Sequence, residues 1–286
     1  MAQGKLKSFF KTLIPRYQTL HLEYPVEMRP RYGFGRPPHG LLSTIISQNR
    51  DVYVKWLTTA LQYSVNLKGI PRTASTSDTS SPFWQNGFLP GLDITMLYTI
   101  VASLAPSTYI EIGSGNSTKV VAKAIKDHQL QTRVISLDPS PRAEIDQLAD
   151  VIIRQPFEHA DLGLFSELKS GDIIFVDNSH RIFPNSDATV FFMEVLPMLP
   201  VGVIVHVHDV YLPYDYPQDV CDRYYSEQYA LAAFLMANPE KYYTIMPNFY
   251  VSEDPELCTI LKPFWDQPEM KDVERHGASY WIEIKG

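Results

Sequence analysis

The sequence predicts an α/β fold built on a doubly wound, mainly parallel sheet, preceded by an N-terminal helical extension. Three observations carry that prediction. Short, almost continuously apolar segments recur as TYIEI (108–112), RVISLD (133–138), DVIIRQ (150–155), DIIFVD (172–177) and GVIVHVHD (202–209), as strands covered on both faces require. Helix-like stretches separate them, the alternation that produces right-handed crossovers. A glycine turn, Gly113-Ser114-Gly115, follows the first of these strands directly, where open parallel sheets bind ligands.

The elements follow in chain order. Residues 1–72 hold scattered basic groups and the irregular stretch PRYGFGRPPHG, whose prolines and glycines forbid a long helix. In LLSTIISQNRDVYVKWLTTALQYSVNL, apolar residues recur at threes and fours, which predicts one or two amphipathic helices. Residues 73–82, TASTSDTSSP, are small and polar and read as a linker. The expected division is therefore an extension with its linker over 1–82 and a main domain over 83–286. Between the five strands lie STKVVAKAIKDH, PRAEIDQLA, a short FSEL turn of helix and DATVFFMEVLPML. After the fifth come the helix EQYALAAFLMANP and two further strands, KYYTIMPN and SYWIEI.

Composition excludes several classes. With 45% hydrophobic residues in 286, a sizeable core is possible. The longest apolar run, Val201 to Val207, is interrupted by His206 and falls far short of the roughly 20 residues that span a bilayer. Lys5, Lys7 and Lys11 surround Phe9 and Phe10, too short and charged a run for a signal-peptide core, so a cytoplasmic protein is expected. Cys221 and Cys258 are too few for a disulfide framework or a zinc site. Residues 1–72 carry 11 Lys and Arg against 3 acidic groups, whereas the whole chain is at −7. That asymmetry admits contact with an anionic membrane surface, but a basic segment packed on its own acidic body explains it as well. The acidic bulk disfavours nucleic acid. A homo-oligomer is compatible with the sequence.

The loop after the first strand carries the cofactor chemistry. Gly113 and Gly115 allow a sharp turn and close approach of backbone to a ligand, while Ser117 or Thr118 can cap the next helix. Dinucleotide enzymes use the same device with a third glycine, but here that position is Thr118. Glu111, two residues before Gly113, would repel a pyrophosphate and attract a cation. S-adenosylmethionine has an ammonium and a sulfonium, so it suits this acid better than NAD does. Asp138, ending the second strand, is placed to accept both ribose hydroxyls.

With these residues in view, the chain from about Trp84 onward resembles the class I methyltransferases. The stretches WQNGFLPGLD, YIEIGSGNSTK, DIIFVDNSHR, VHVHDVYLPYDYP and EQYALAAFL resemble a bacterial methyltransferase group distantly similar to macrocin-type sugar O-methyltransferases. The resemblance implies a seven-stranded Rossmann-like methyltransferase sheet. It also implies cofactor contacts by Glu111, Gly113, Gly115 and Asp138, with Ser114 and Ser117 nearby and Asp177 shared with the acceptor side. Gln155-Pro156-Phe157-Glu158 would flank the adenine, although Phe157 reads equally as a core residue.

Methyl transfer to a hydroxyl needs an oriented acceptor and removal of its proton. Two strand ends supply suitable groups: Asp177-Asn178-Ser179-His180 and His206-Val207-His208-Asp209, with His206 and His208 on one face. Either His180 or His208 acts as general base, or Asp177 and Asp209 hold a divalent ion such as Mg²⁺. Metal-dependent relatives carry a second carboxylate or amide where this chain has His208 or Val210. The following loop, VYLPYDYP, is either a lid whose Tyr211, Tyr214 and Tyr216 stack on the acceptor or a packed crossover. Trp84, Phe88 and Asp93 resemble a lead-in segment covering the cofactor, with Trp84 alternatively in the core. The expected activity is S-adenosylmethionine-dependent methylation of a small-molecule oxygen, a sugar hydroxyl being one candidate. An NAD-dependent oxidoreductase and a non-catalytic cofactor-binding scaffold are the alternatives.

Overall fold

The computed structural model describes residues 14, 18–20, 22–141 and 143–286, and its centre is a seven-stranded sheet. The basic cluster around Phe9 and Phe10 lies outside the described residues. The strands are β1 (Thr108–Ile112), β2 (Arg133–Leu137), β3 (Val151–Ile153), β4 (Ile173–Val176), β5 (Ile204–Val207), β6 (Tyr242–Pro247) and β7 (Tyr280–Ile284). Their spatial order is β3-β2-β1-β4-β5-β7-β6, with β7 antiparallel to both neighbours. The doubly wound, mainly parallel fold expected from the alternation is therefore present. The order reverses between β1 and β4, which opens a crevice at their carboxyl ends.

The principal helices are α1 (Gly40–Ser47), α2 (Arg50–Gln62), α3 (Gly91–Leu104), α4 (Asn116–His128) and α5 (Glu227–Ala237). Burial of Ile110, Ile174, Val205 and their neighbours on β1, β4 and β5 explains the unbroken apolar character of those segments. Leu42, Ile46, Tyr53 and Leu57 of the extension belong to the same core cluster as the sheet, so α1 and α2 are packed into the body rather than appended to it.

Two segments differ from expectation. Among the described residues of PRAEIDQLA the chain forms only a 3₁₀ turn at Asp146–Leu148. DVIIRQ yields a three-residue edge strand whose Ile152 is 41% exposed, since no neighbour covers its outer side.

The irregular stretch before α1 crosses the loop after β5. Arg31 N donates to Asp215 Oδ2 at 2.9 Å, Asp215 N to Tyr32 O at 3.2 Å, His39 N to Pro213 O at 2.9 Å, and Gln218 Nε2 to Met28 O at 2.7 Å. Gly33 adopts φ +73° with the Tyr214 ring where a Cβ would stand, 2.2 Å from Cδ2. Only glycine fits this crossing.

Candidate functional site

Strand β1 ends at Ile112 with its backbone entering a tight turn. Gly113 takes φ +85°, and a Cβ there would lie 1.9 Å from the Asp177 carbonyl oxygen, so glycine lets the tips of β1 and β4 approach. A Cβ on Gly115, by contrast, would meet nothing within 4 Å, which leaves its side of the loop open. Ser114 N donates to Asp138 Oδ2 at 2.8 Å, and Ser140 N donates to Asp138 Oδ1 at 2.7 Å. The loop and the end of β2 are thereby locked together.

Glu111 is fully buried beneath this loop and does not line the crevice. It accepts hydrogen bonds from Tyr109 Oη at 3.0 Å and from Thr118 Oγ1, whose oxygen in turn accepts from Gly115 N. Burial pushes its carboxyl up to about 7, against the opposing pull of the hydroxyls of Thr118, Ser117 and Tyr109. Ser117 is likewise buried. These two residues brace the loop from below.

Above it lies a cleft of about 460 Å³, within the size range of small-molecule sites. Gly113 and Ser114 form one wall, Asp138 the next, Phe157 and Glu158 a third, and Asp177 closes the inner end. Phe157 packs edge-on against Phe165, centroids 5.8 Å apart, so it serves both the core and the cleft. Carboxylates are numerous here and, among the described residues, lysine and arginine are absent from the lining, which favours a cation over a pyrophosphate.

Asp177 also belongs to a second assembly. His180 Nε2 lies 3.2 Å from Asp177 Oδ1 and 3.5 Å from Asp209 Oδ2. Its Nδ1 pairs with the buried Glu227, the first residue of α5. Tyr225 stacks on the imidazole with centroids 4.4 Å apart. His208 Nδ1 stands 3.7 Å from Asp177 and 3.6 Å from Asp209, and its Nε2 is 3.4 Å from Asp93. Both His180 and Asp209 hold positive φ, 61° and 55°, uncommon for residues with side chains.

Electrostatically the cluster is a cation trap. Burial opposes charge on His180, yet Glu227 and Asp177 outweigh it and raise its pKa to about 10. His208 is likewise raised despite burial, by Asp209, Asp177 and Asp93. Burial would raise Asp177, but the two imidazoles hold it well below the usual carboxylate range. An imidazolium has no lone pair with which to take a proton.

The structure thus brings together Asp177, His180, His208 and Asp209, all chosen from sequence. His206 does not join them: it stacks on Trp281 at 3.8 Å and bonds Ser279 Oγ, and burial keeps it neutral. In the loop after β5, Tyr216 is wholly buried with its hydroxyl accepting from Gln228 N, and Tyr211 and Tyr214 pack on Phe249. This is a packed crossover, not a free lid. Trp84 sits in the core against Phe264 and Trp265. Sequence reasoning missed Glu227, and it placed Asp93 over the cofactor. Asp93 instead accepts from Asn248 Nδ2, Ala278 N and Ser279 N and faces His208.

Residues 110–210 match the family model of a methyltransferase domain. Comparison with curated proteins finds no significant match. Among solved structures, the chain is similar to the SAH-bound Podospora anserina methyltransferase PaMTH1, with 16% identity, 89% of this chain and 100% of that one covered, and a TM-score of 0.42. It is also similar to the plantazolicin methyltransferase BpumL in complex with a monoazolic desmethylPZN analog and SAH, with 13% identity, 85% and 100% covered, and a TM-score of 0.43. An SAH-bound O-methyltransferase from Bacillus cereus shows 14% identity over 86% and 100% of the two chains, with a TM-score of 0.34.

Proposed function

We propose that this chain, a class I S-adenosylmethionine-dependent methyltransferase, methylates a hydroxyl of a small molecule held on a divalent ion at Asp177 and Asp209. One observation carries this reading: Asp177 lines the inner end of the cofactor cleft and is also a member of the Asp177–His180–Asp209 cluster, so donor and acceptor sites meet at one carboxylate.

The residues fit both groups. Gly113, Ser114, Asp138 and Phe157 would hold the cofactor, with Gly115 leaving open space and Glu111 bracing the loop from beneath. When bound, that cofactor supplies a methyl group already activated by its sulfonium. Asp177, His180 and Asp209 offer ligand atoms within 4.8 Å of one another, and the nearby His208 has no hydrogen-bond partner at either ring nitrogen among the described residues. A divalent ion held there would lower the pKa of a coordinated hydroxyl.

The chain's own residues then have separable tasks. The β1 loop and Asp138 fix the donor, Asp177 and Asp209 orient the acceptor oxygen, and the buried histidines exclude water from the junction. His180 is poorly placed as a free base, since its Nε2 faces two carboxylates rather than open cleft. The hydroxyl's proton would leave instead to solvent at the edge of the site, where Asp177 and Asp209 are 28% and 24% exposed.

Two measurements test the proposal. S-adenosylhomocysteine should raise the melting temperature and NADH should not; the reverse would restore the oxidoreductase alternative. With a panel of hydroxylated acceptors, EDTA should abolish methyl transfer and an added divalent ion should restore it. Full activity in chelator would remove the ion from the mechanism.

A further inference from the structure

The Asp177–His180–Asp209 cluster differs from an all-oxygen cation site in one respect, an imidazole among its three donors. We infer that His180 Nε2 is a ligand of the ion, aimed by the buried Glu227, and that the site selects Mn²⁺ and similar transition-metal ions over Mg²⁺. This inference rests on the metal reading above.

Four contacts define the orientation of His180. Glu227, with no exposed surface, engages Nδ1 and leaves Nε2 as the only ring nitrogen able to face Asp177 and Asp209. Tyr225 fixes the ring plane from one side. Asn178 Oδ1 accepts from His180 N at 2.8 Å, and Ser226 N donates to His180 O at 2.8 Å, which holds the backbone at its positive φ. A carboxylate behind an imidazole is the usual support for a metal-binding histidine, and binding of an ion at Nε2 would release the proton held there to solvent.

A second observation points to a ligand at the same place. His208 is 97% buried with neither nitrogen hydrogen-bonded among the described residues, and its Nδ1 faces the same two carboxylates at 3.6 and 3.7 Å. Two imidazoles converging on two carboxylates form a mixed nitrogen and oxygen environment. Mg²⁺ prefers oxygen donors and retains its waters, whereas imidazole suits first-row transition ions.

The full chain, freed of metal and saturated with S-adenosylhomocysteine, should be titrated with Mn²⁺, Mg²⁺ and Ca²⁺ separately. Wild type should bind Mn²⁺ on the order of 10-fold or more tighter than Mg²⁺, and pulsed electron paramagnetic resonance of bound Mn²⁺ should show coupling to one imidazole nitrogen. His180→Asp should abolish that coupling and bring the two affinities together. Glu227→Gln should weaken Mn²⁺ about 10- to 100-fold, with Glu227→Asp recovering part of the loss. S-adenosylhomocysteine affinity should stay unchanged in all three, which reports an intact fold. Nitrogen coupling absent from wild type, or persisting in His180→Asp, would overturn the inference while leaving an oxygen-bound ion possible. Failure of wild type to bind any of the three ions would instead overturn the metal reading itself.

Discussion

Asp93 Oδ2 lies 3.4 Å from His208 Nε2, joining the first turn of α3 to the end of β5. The same carboxylate accepts the amides of Ala278 and Ser279 and the side chain of Asn248, so it seats β7 and β6 as well. Asp93→Ala leaves those buried donors unpaired and removes the carboxylate that faces His208 Nε2. The expected loss of unfolding free energy is about 3–5 kcal/mol. Urea unfolding with an unchanged slope would measure it, and a loss under about 1 kcal/mol would mean the network reorganises at little cost.

The two glycines of the β1 loop should respond differently. Gly113→Ala places a methyl on the Asp177 carbonyl in a left-handed backbone, so it should cost about 2–4 kcal/mol in stability. Gly115→Ala should leave the melting temperature within about 2 °C but weaken S-adenosylhomocysteine binding, since its methyl projects into open space. Calorimetric melts paired with binding isotherms separate the two effects. Equal behaviour of the variants would contradict the assignment of the open side to a ligand.

Glu111 gives a pH signature. Its folded pKa of about 7 lies above the ordinary 4.5, chiefly through burial. Neutral Glu111 therefore contributes stability that is fully present below about pH 4.5 and is lost as pH rises through about 7. Glu111→Gln stays neutral throughout. The variant should gain on wild type by about 3 kcal/mol between pH 4.5 and 8, as read from chemical denaturation at each pH. A difference that does not vary with pH would place the carboxyl's titration elsewhere.

Asp138→Ala should lower S-adenosylhomocysteine affinity about 10- to 100-fold, the cost of losing hydrogen bonds to a charged acceptor. It also frees Ser114 N and Ser140 N, so a smaller loss in Asp138→Asn is expected, because one acceptor oxygen remains. Isothermal titration distinguishes them, and wild-type affinity in both would remove Asp138 from the cofactor site.

What could be read from sequence follows physical range. Strand β1 and the Gly113–Gly115 turn are local, and their residue types declare them: continuous apolar positions, then a φ at Gly113 that glycine favours. The insertion of β7 between β5 and β6 is not local, since nothing in SYWIEI states which neighbour it pairs with. The same holds within the site. Asp177 and His180 are three residues apart and were legible as a group, whereas Glu227 reaches His180 across 47 positions. At the start of EQYALAAFL an acid looks like ordinary compensation of the helix dipole, which hid it. Glu111 was legible as a charge near the loop, but its inward direction came only with Tyr109 and Thr118 in place.

The segment running from Met28 to His39 meets partners at residues 213–218, about 180 positions later in the chain. During synthesis the partners at 213–218 are made only when about three quarters of the 286 residues are complete. The segment's docking therefore comes after the β1–β4 half of the sheet can already have assembled. Shortening the chain from its start should consequently loosen the loop after β5, close to Asp209, while the crevice between β1 and β4 keeps its shape.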